Sequence, residues 1–249
     1  MVVGRNANGT WSIKFNRLDL ARWRRVIRAF GPVVEETPFG WWKNKNVSDQ
    51  QLWETFVGEF AVRGGVRLIE RLQRDKKKLR VYRNLISLRS LAAISSPAPQ
   101  VRRAMKMATR FWPAAAKTLV KCLRNPRVVK GSRFVLLDDL PRGGSDQEWR
   151  ELLLKRCRKV GMKGASDFLI GVGAARDLAA IDTRIIGCLE KYFGASPLIK
   201  HTRSSKSGYL ALESALRQVA QANHIPLARL DRIIFQASGM SAFEFIVKY

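Results

Sequence analysis

Helical periodicity, broken at intervals by glycine and proline, confines this chain to a mostly α fold. Ser48 and Gln51 form a capping-box pattern, and Leu52, Phe56 and Phe60 then recur at helical spacing up to Gly64-Gly65. Ser145 and Glu148 repeat the box after Gly143-Gly144. Residues 18–30 read as a helix with Arg22, Arg24, Arg25 and Arg28 on its wet side, stopped by Gly31-Pro32. The basic stretch 67–89 keeps a helical apolar pattern around Lys76-Lys77-Lys78, and 101–124 reads as one or two helices interrupted by Pro113. Further helices are expected over 147–159, 165–171, 183–193 and 209–223, with a short last one opened by Pro226. Only Trp11, Ile13 and Phe15 alternate as a strand would, which predicts a short N-terminal strand or arm. No period of 20–50 residues repeats, which excludes a solenoid.

Charge narrows the function. The 249 residues carry 46 Lys and Arg against 20 Asp and Glu, a formal net charge of +26. Hydrophobic residues make up 46% of the chain, so it has material for a core and is not a disordered polycation. An excess of this size calls for a polyanion, and nucleic acid is the leading candidate because phosphate contacts release counterions. No run of eighteen apolar residues is present, so no membrane partner is expected. The stretch from Met1 to Arg5 lacks the features of a signal peptide, and three widely spaced cysteines suit a reducing compartment. The expected location is intracellular, with the nucleoid or cytoplasm of a prokaryote or the nucleus of a eukaryote. Two histidines and no CxxC pair argue against zinc and against a four-cysteine iron–sulfur cluster, so no cofactor and no metal are expected.

The most informative segment is Lys159-Val160-Gly161-Met162-Lys163-Gly164-Ala165-Ser166. Two helices meet there at a very short turn with glycines at 161 and 164. Glycine permits positive φ, and a helix that starts at such a turn points its first N–H groups outward, where they can bind a phosphate. This is a backbone grip that positions a protein on DNA without reading sequence. An ordinary αα-hairpin would look the same. Two residues add chemistry. Lys163 opens the second helix, and Asp182 follows nineteen positions later in Ala180-Ile181-Asp182-Thr183-Arg184. Separately, they read as a surface charge and an N-cap. Together, an amine near a carboxylate can attack a sugar carbon whose departing base leaves positive charge behind.

The run from Arg150-Glu151 through Val160–Leu169 to Leu178-Ala179-Ala180-Ile181-Asp182 resembles the helix–hairpin–helix DNA glycosylases, and most of all the 8-oxoguanine glycosylase/AP lyases of the short archaeal type. The likeness covers about the C-terminal half of the chain. It implies a two-lobed helical fold with a DNA groove between the lobes, a Schiff-base nucleophile at Lys163 and a second catalytic residue at Asp182. It also implies backbone contacts to DNA from Gly161, Met162, Gly164, Ala165 and Arg184. Arg184 stands where many members carry histidine, which bears on the identity of the excised base. Upstream, Ser48 to Gly65 resembles the family's early helix, which places Arg63 near the opened duplex. Near the end, Asp231 and Phe235, with Phe243 and Phe245 as further aromatics, are the candidates for a base pocket.

The expected organisation is one glycosylase-like domain. It comprises an N-terminal arm and helix (1–46), a helical lobe (47–140), the hairpin with its catalytic loop (145–193) and C-terminal helices (194–249). The expected activity is excision of an oxidised purine, 8-oxoguanine first, from double-stranded DNA, followed by strand nicking. The chain is expected to act as a monomer, because no heptad pattern argues for self-association. Three competing readings are a glycosylase for a different modified base, a non-catalytic helix–hairpin–helix DNA-binding protein, and a basic ribosome-associated protein.

Overall fold

A computed structural model describes residues 1–5, 9–62, 67–157, 159–194, 205–238 and 240–248. In chain order the elements are β1 (Val2–Arg5), β2 (Trp11–Lys14), α1 (Arg17–Phe30), α2 (Asp49–Ala61), α3 (Arg67–Arg74), α4 (Lys76–Leu85) and α5 (Leu88–Ala93). There follow α6 (Ala98–Ala108), α7 (Trp112–Leu123), β3 (Val129–Lys130), β4 (Arg133–Phe134), α8 (Asp146–Arg156) and α9 (Gly161–Gly171). The last are α10 (Thr183–Phe193), α11 (Lys206–Ala222), α12 (Leu227–Ala237) and α13 (Ser241–Lys248). The fold is mostly α. No helix among the described residues is long and apolar enough to cross a membrane.

Caps decide where many of these helices begin. Asn16, Ser48 and Ser145 each accept from the backbone N–H three residues on, and the side chains of Asp19, Gln51 and Glu148 return to the cap's own N–H. Each box satisfies two amides that helix geometry leaves without partners. The basic stretch 67–89 is divided for the same reason. Asp75 accepts from Lys78 N–H to start α4, and Ser87 accepts from Ser90 N–H to start α5. Pro113 does not interrupt a helix; it lies in the first turn of α7, where its missing N–H costs nothing.

The chain divides into two compact units, residues 40–174 and residues 1–39 with 175–249. These cut across the expected segments. The hairpin α8–α9 falls with the 47–140 stretch, whereas α10 falls with the two termini.

In the 40–174 unit, α2 packs on α9, α7 and α5. Its buried face supplies Trp53, Phe56 and Phe60; Phe60 packs on Phe56, Trp53 and Phe56 meet Phe134, and Phe56 meets Phe168, in tilted and edge-on contacts at 5.3–5.9 Å between ring centroids. Such pairs favour these geometries over face-to-face stacking. The indole N–H of Trp53 donates to the Ile86 carbonyl at 2.8 Å, so the buried ring leaves no polar atom wanting. Phe134 reaches this cluster from a two-residue ladder, β3 against β4.

In the other unit, β1 and β2 form an antiparallel hairpin with Val3 opposite Ile13. The alternation at Trp11 and Ile13 is therefore a strand, and its partner at 2–5 is an addition to the expectation. α1 packs on α13, α12 and α11. Trp23 stacks on Phe193 at 4.4 Å and Phe30 on Phe243 at 5.7 Å. α13 is a further helix that the sequence pattern did not predict, and its Phe243 and Val247 are core residues.

Candidate active site

α8 ends at Arg156 and α9 begins at Gly161, so the connection is as short as the glycine spacing implied. Gly161 holds φ +79°, a left-handed conformation that a side chain would strain, and Lys159 takes a similar φ of +80°. α9 starts four residues before the expected 165, because Gly161 serves as the first helical residue as well as the turn. No side chain caps this start. Gly164 is small for a different reason. A Cβ there would lie 3.1 Å from Val160 Cγ1, so a side chain would press on the turn before α9, whereas Glu59 Oε2 on α2, at 3.9 Å, would be in ordinary contact.

This bears on the expected phosphate contacts. Gly161 is exposed and Met162 half-buried, whereas Gly164 and Ala165 are buried. Only the first-turn amides of a helix lack an intrahelical partner. Ala165 lies past that turn, and Gly164, the fourth residue of α9, is buried with it, which leaves Gly161 and Met162 as the accessible part of the expected backbone set.

Lys163 is half-buried, with 32% of its side chain exposed, and its ammonium meets two carboxylates. Its Nζ donates to Glu59 Oε2 at 3.4 Å and to Asp167 Oδ2 at short range. Asp167 lies one helical turn on, at i+4, and Glu59 reaches across from α2. Both acids are largely covered, with side chains 12% and 14% exposed. An amine in direct contact with two carboxylates has an acceptor at hand for the proton it must lose before it can attack carbon. Behind this pair the hairpin is stiffened by Arg150, which is buried on α8 and donates to Ser166 Oγ on α9 at 3.1 Å.

Asp182 lies in the other unit and caps α10. Its Oδ1 accepts from Arg184 N–H at 2.8 Å and from Ile185 N–H at 3.1 Å. The loop leading to it is held by side chains from α11 and α12. Ala179 N–H donates to Glu213 Oε1 at 3.1 Å, Ala180 N–H to Asp231 Oδ1 at 2.8 Å, and Ile181 N–H to Tyr209 Oη at 3.2 Å. Tyr209 O–H in turn donates to the Ala179 carbonyl at 2.6 Å, and Arg217 grips Asp177 through Nε at 2.7 Å. Three successive buried amides thus find side-chain acceptors, and the cap that ends the loop is fixed in place.

Asp231 consequently does different work from that expected. It is 2% exposed and anchors the loop, where the sequence suggested an acceptor for a purine edge. Phe243 is core. Phe235 is 37% exposed on α12, and the guanidinium of Arg184 lies over its ring at 4.2 Å. The structure therefore brings Arg184 and Phe235 together. Arg63 and Gly64-Gly65 fall outside the described residues, as does the side chain of Phe245.

A family model described as 8-oxoguanine DNA glycosylase matches residues 76–225, a stretch that includes the hairpin, Lys163, Asp182 and the loop anchors Tyr209, Glu213 and Arg217. The chain belongs to the 8-oxoguanine DNA glycosylase family. Among curated relatives, 8-oxoguanine DNA glycosylase/AP lyase from Saccharolobus islandicus is 38% identical over 95 residues, which is 38% of this chain and 45% of that protein. Its counterpart from Metallosphaera sedula is 39% identical over 88 residues, 35% of this chain and 40% of that protein. The matched stretch thus spans less than half the length of these relatives. Solved structures share the fold over more of the chain. The 8-oxoguanine DNA glycosylase of Methanocaldococcus jannaschii gives a TM-score of 0.60 at 19% identity, covering 87% of this chain and 91% of that one. The Thermotoga maritima 8-oxoguanine DNA glycosylase gives 0.59 at 18%, covering 87% and 93%.

In this member of the 8-oxoguanine DNA glycosylase family, sequence reasoning passed over Glu59, Asp167, Tyr209 and Glu213. Asp167 was within reach of a helical-wheel argument, since it falls four positions after Lys163. Glu213 had a fainter signal, an acid on the same helix face as Tyr209, Leu212 and Leu216. Glu59 had none.

Proposed function

We propose that this chain removes an oxidised purine, 8-oxoguanine in the first instance, from duplex DNA and then nicks the strand through a lysine Schiff base. The observation that carries this reading is the setting of Lys163. It opens the second helix of the hairpin, is partly exposed, and touches two carboxylates that can receive its proton.

The chemistry follows from that setting. Once neutral, the Nζ of Lys163 attacks C1′ of the target nucleoside; the glycosidic bond breaks and its electron pair leaves with the base, which takes up a proton. Loss of the amine's second proton and opening of the sugar ring give the imine. Removal of a C2′ proton then expels the 3′ phosphate. The base must leave the stack for C1′ to be reached, so the DNA is expected to be bent and the nucleotide flipped. The amides of Gly161 and Met162 are suited to hold a phosphate beside it. Asp182 is assigned the second catalytic role by motif position, balancing positive charge at the sugar; its Oδ1 is committed to the α10 cap.

Borohydride trapping on duplex DNA that contains 8-oxoguanine tests the proposal. The parent chain should form a covalent adduct and release the base, and Lys163→Gln should do neither while still binding duplex. An adduct that survives in Lys163→Gln would remove the nucleophile from this position. Arg184, which lies over the exposed ring of Phe235, stands where many members of the family carry histidine, and this departure favours examining a second substrate class. A panel of duplexes, each with one altered base, decides between the two by relative release rates.

A further inference from the structure

Between Lys76 and Leu137 the chain carries sixteen lysines and arginines and no aspartate or glutamate. That stretch of the 40–174 unit has no acid of its own to balance it. Part of the charge converges on one place. α6 and α7 pack side by side, and the cleft along them, ≈ 540 Å³, is lined by Trp112 and Val120 together with Arg102, Lys117, Lys121 and Arg124. The four cations are exposed, Trp112 is half-buried, and none of the four has an ion-pair partner among the described residues. Like charges so grouped repel, and an anion entering the cleft would relieve that repulsion.

The arrangement has a direction. Lys117, Lys121 and Arg124 are spaced i, i+4, i+7, which aligns them along one face of α7 over about 10 Å. The next residue, Asn125, donates its side-chain amide to the carbonyl of Arg156 at 3.0 Å, at the end of α8. The basic stripe therefore runs up to the entry of the hairpin. At its other end Lys106 lies over the ring of Trp112 at 5.8 Å, adding a fifth cation beside the indole.

We propose that this cleft binds an unpaired nucleotide of a single DNA strand, with its base against Trp112 and its flanking phosphates on Arg102, Lys117, Lys121 and Arg124. A duplex presents phosphates but hides the faces of its bases, so the indole and the apolar wall would go unused. An unpaired nucleotide offers both a π-face and phosphates, the combination that single-strand platforms employ. The proposal stands on the charge and shape of α6 and α7 and does not depend on the excision chemistry.

Fluorescence anisotropy of the full chain, with labelled undamaged oligothymidine and with the same length of undamaged duplex, tests it. Alanine at all four cations should weaken single-strand binding by at least about 10-fold near 0.1 M salt and reduce the slope of log K against log salt by about 3. Trp112→Leu should weaken it about 5- to 10-fold with the slope unchanged, because stacking releases no counterions. Trp112→Phe keeps a ring and should retain most of the affinity, which separates stacking from a folding defect. Lys163→Gln should bind oligothymidine as the parent does, so a failed excision assay leaves this result standing. Equal losses on duplex and single strand would overturn the proposal, as would a harmless Trp112→Leu. Preference by about 10-fold for an RNA strand of the same length would overturn its assignment to DNA.

Discussion

The ammonium of Lys163 lies 3.4 Å from Glu59 Oε2, a contact that ties the first turn of α9 to α2 across 104 positions of sequence. With Asp167 on its own helix, the lysine is held from two sides. This arrangement does two things. It fixes a long, flexible side chain that would otherwise lose rotamer freedom when it engages a substrate, and it supplies bases already in contact with the proton to be removed.

Asp167→Asn should slow adduct formation on 8-oxoguanine duplex by about 100-fold or more at neutral pH, within the usual range for a lost proton acceptor. The deficit should shrink as pH rises, because solvent base then takes the proton. Single-turnover trapping across pH measures both. A rate unchanged at every pH would reduce Asp167 to a tether, and Glu59→Gln should have the smaller effect, because Glu59 Oε2 lies farther from the ammonium.

The loop before Asp182 yields a stability prediction. Asp231→Ala removes the acceptor of a buried N–H, that of Ala180, and should cost about 1–3 kcal/mol, read as a lower melting temperature. Asp231→Asn keeps an acceptor oxygen and should recover much of the loss. If the anchor sets the position of Asp182, excision should fall in Asp231→Ala even well below the melting range. Full activity there would separate the loop from the chemistry.

Much of the helical frame is legible in the sequence because its causes are local. A serine with a glutamine or glutamate three positions on starts α2 and α8 wherever the rest of the chain lies, and Gly161 announces a left-handed turn by itself. The hairpin with Lys163 and the cap at Asp182 are visible for the same reason. The partners that make them a site are less so. Glu59, an acid on a helix between Gly58 and Phe60, reads as solvated until α9 packs against it. Asp231 reads as a surface acid because nothing nearby in sequence shows that the N–H of Ala180 is buried. Phe235 and Phe243 are eight positions apart and alike in type, yet one is exposed beneath Arg184 and the other is core. That distinction is set by where α13 returns, which no short window of sequence contains.

These two phenylalanines should therefore respond differently to truncation. Phe243→Ala removes a fully buried ring that packs on Phe30 and Tyr192 and should cost about 3–5 kcal/mol of stability. Phe235→Ala removes a partly exposed ring and should cost less than about 1 kcal/mol, since little is buried. If the Arg184–Phe235 pair meets the extruded base, excision should drop about 10-fold or more in Phe235→Ala with a nearly unchanged melting temperature. A parallel fall in both would assign Phe235 to packing.

The buried thiols make the chain's stability fall at alkaline pH. Burial alone pushes Cys188 from 9.0 up to about 12. Between those limits the unfolded chain has released the thiol proton and the folded chain still holds it. The unfolded state then binds fewer protons, so stability is complete below about pH 9 and declines as pH rises toward 12, with a slope of at most about 1.4 kcal/mol per pH unit for this one group. Cys157 and Tyr82 act in the same direction. The hydrogen bond with Cys122, followed by burial, raises the Cys157 thiol, and burial raises the Tyr82 phenol. Cys188→Ala isolates its share: melting temperatures measured from pH 8 to pH 11 should fall less steeply than in the parent, whatever the small cavity costs at neutral pH. Native Cys188 should also react slowly with a thiol reagent at pH 8 and quickly in denaturant. Identical slopes in parent and variant would mean that solvent reaches this sulfur in the folded chain.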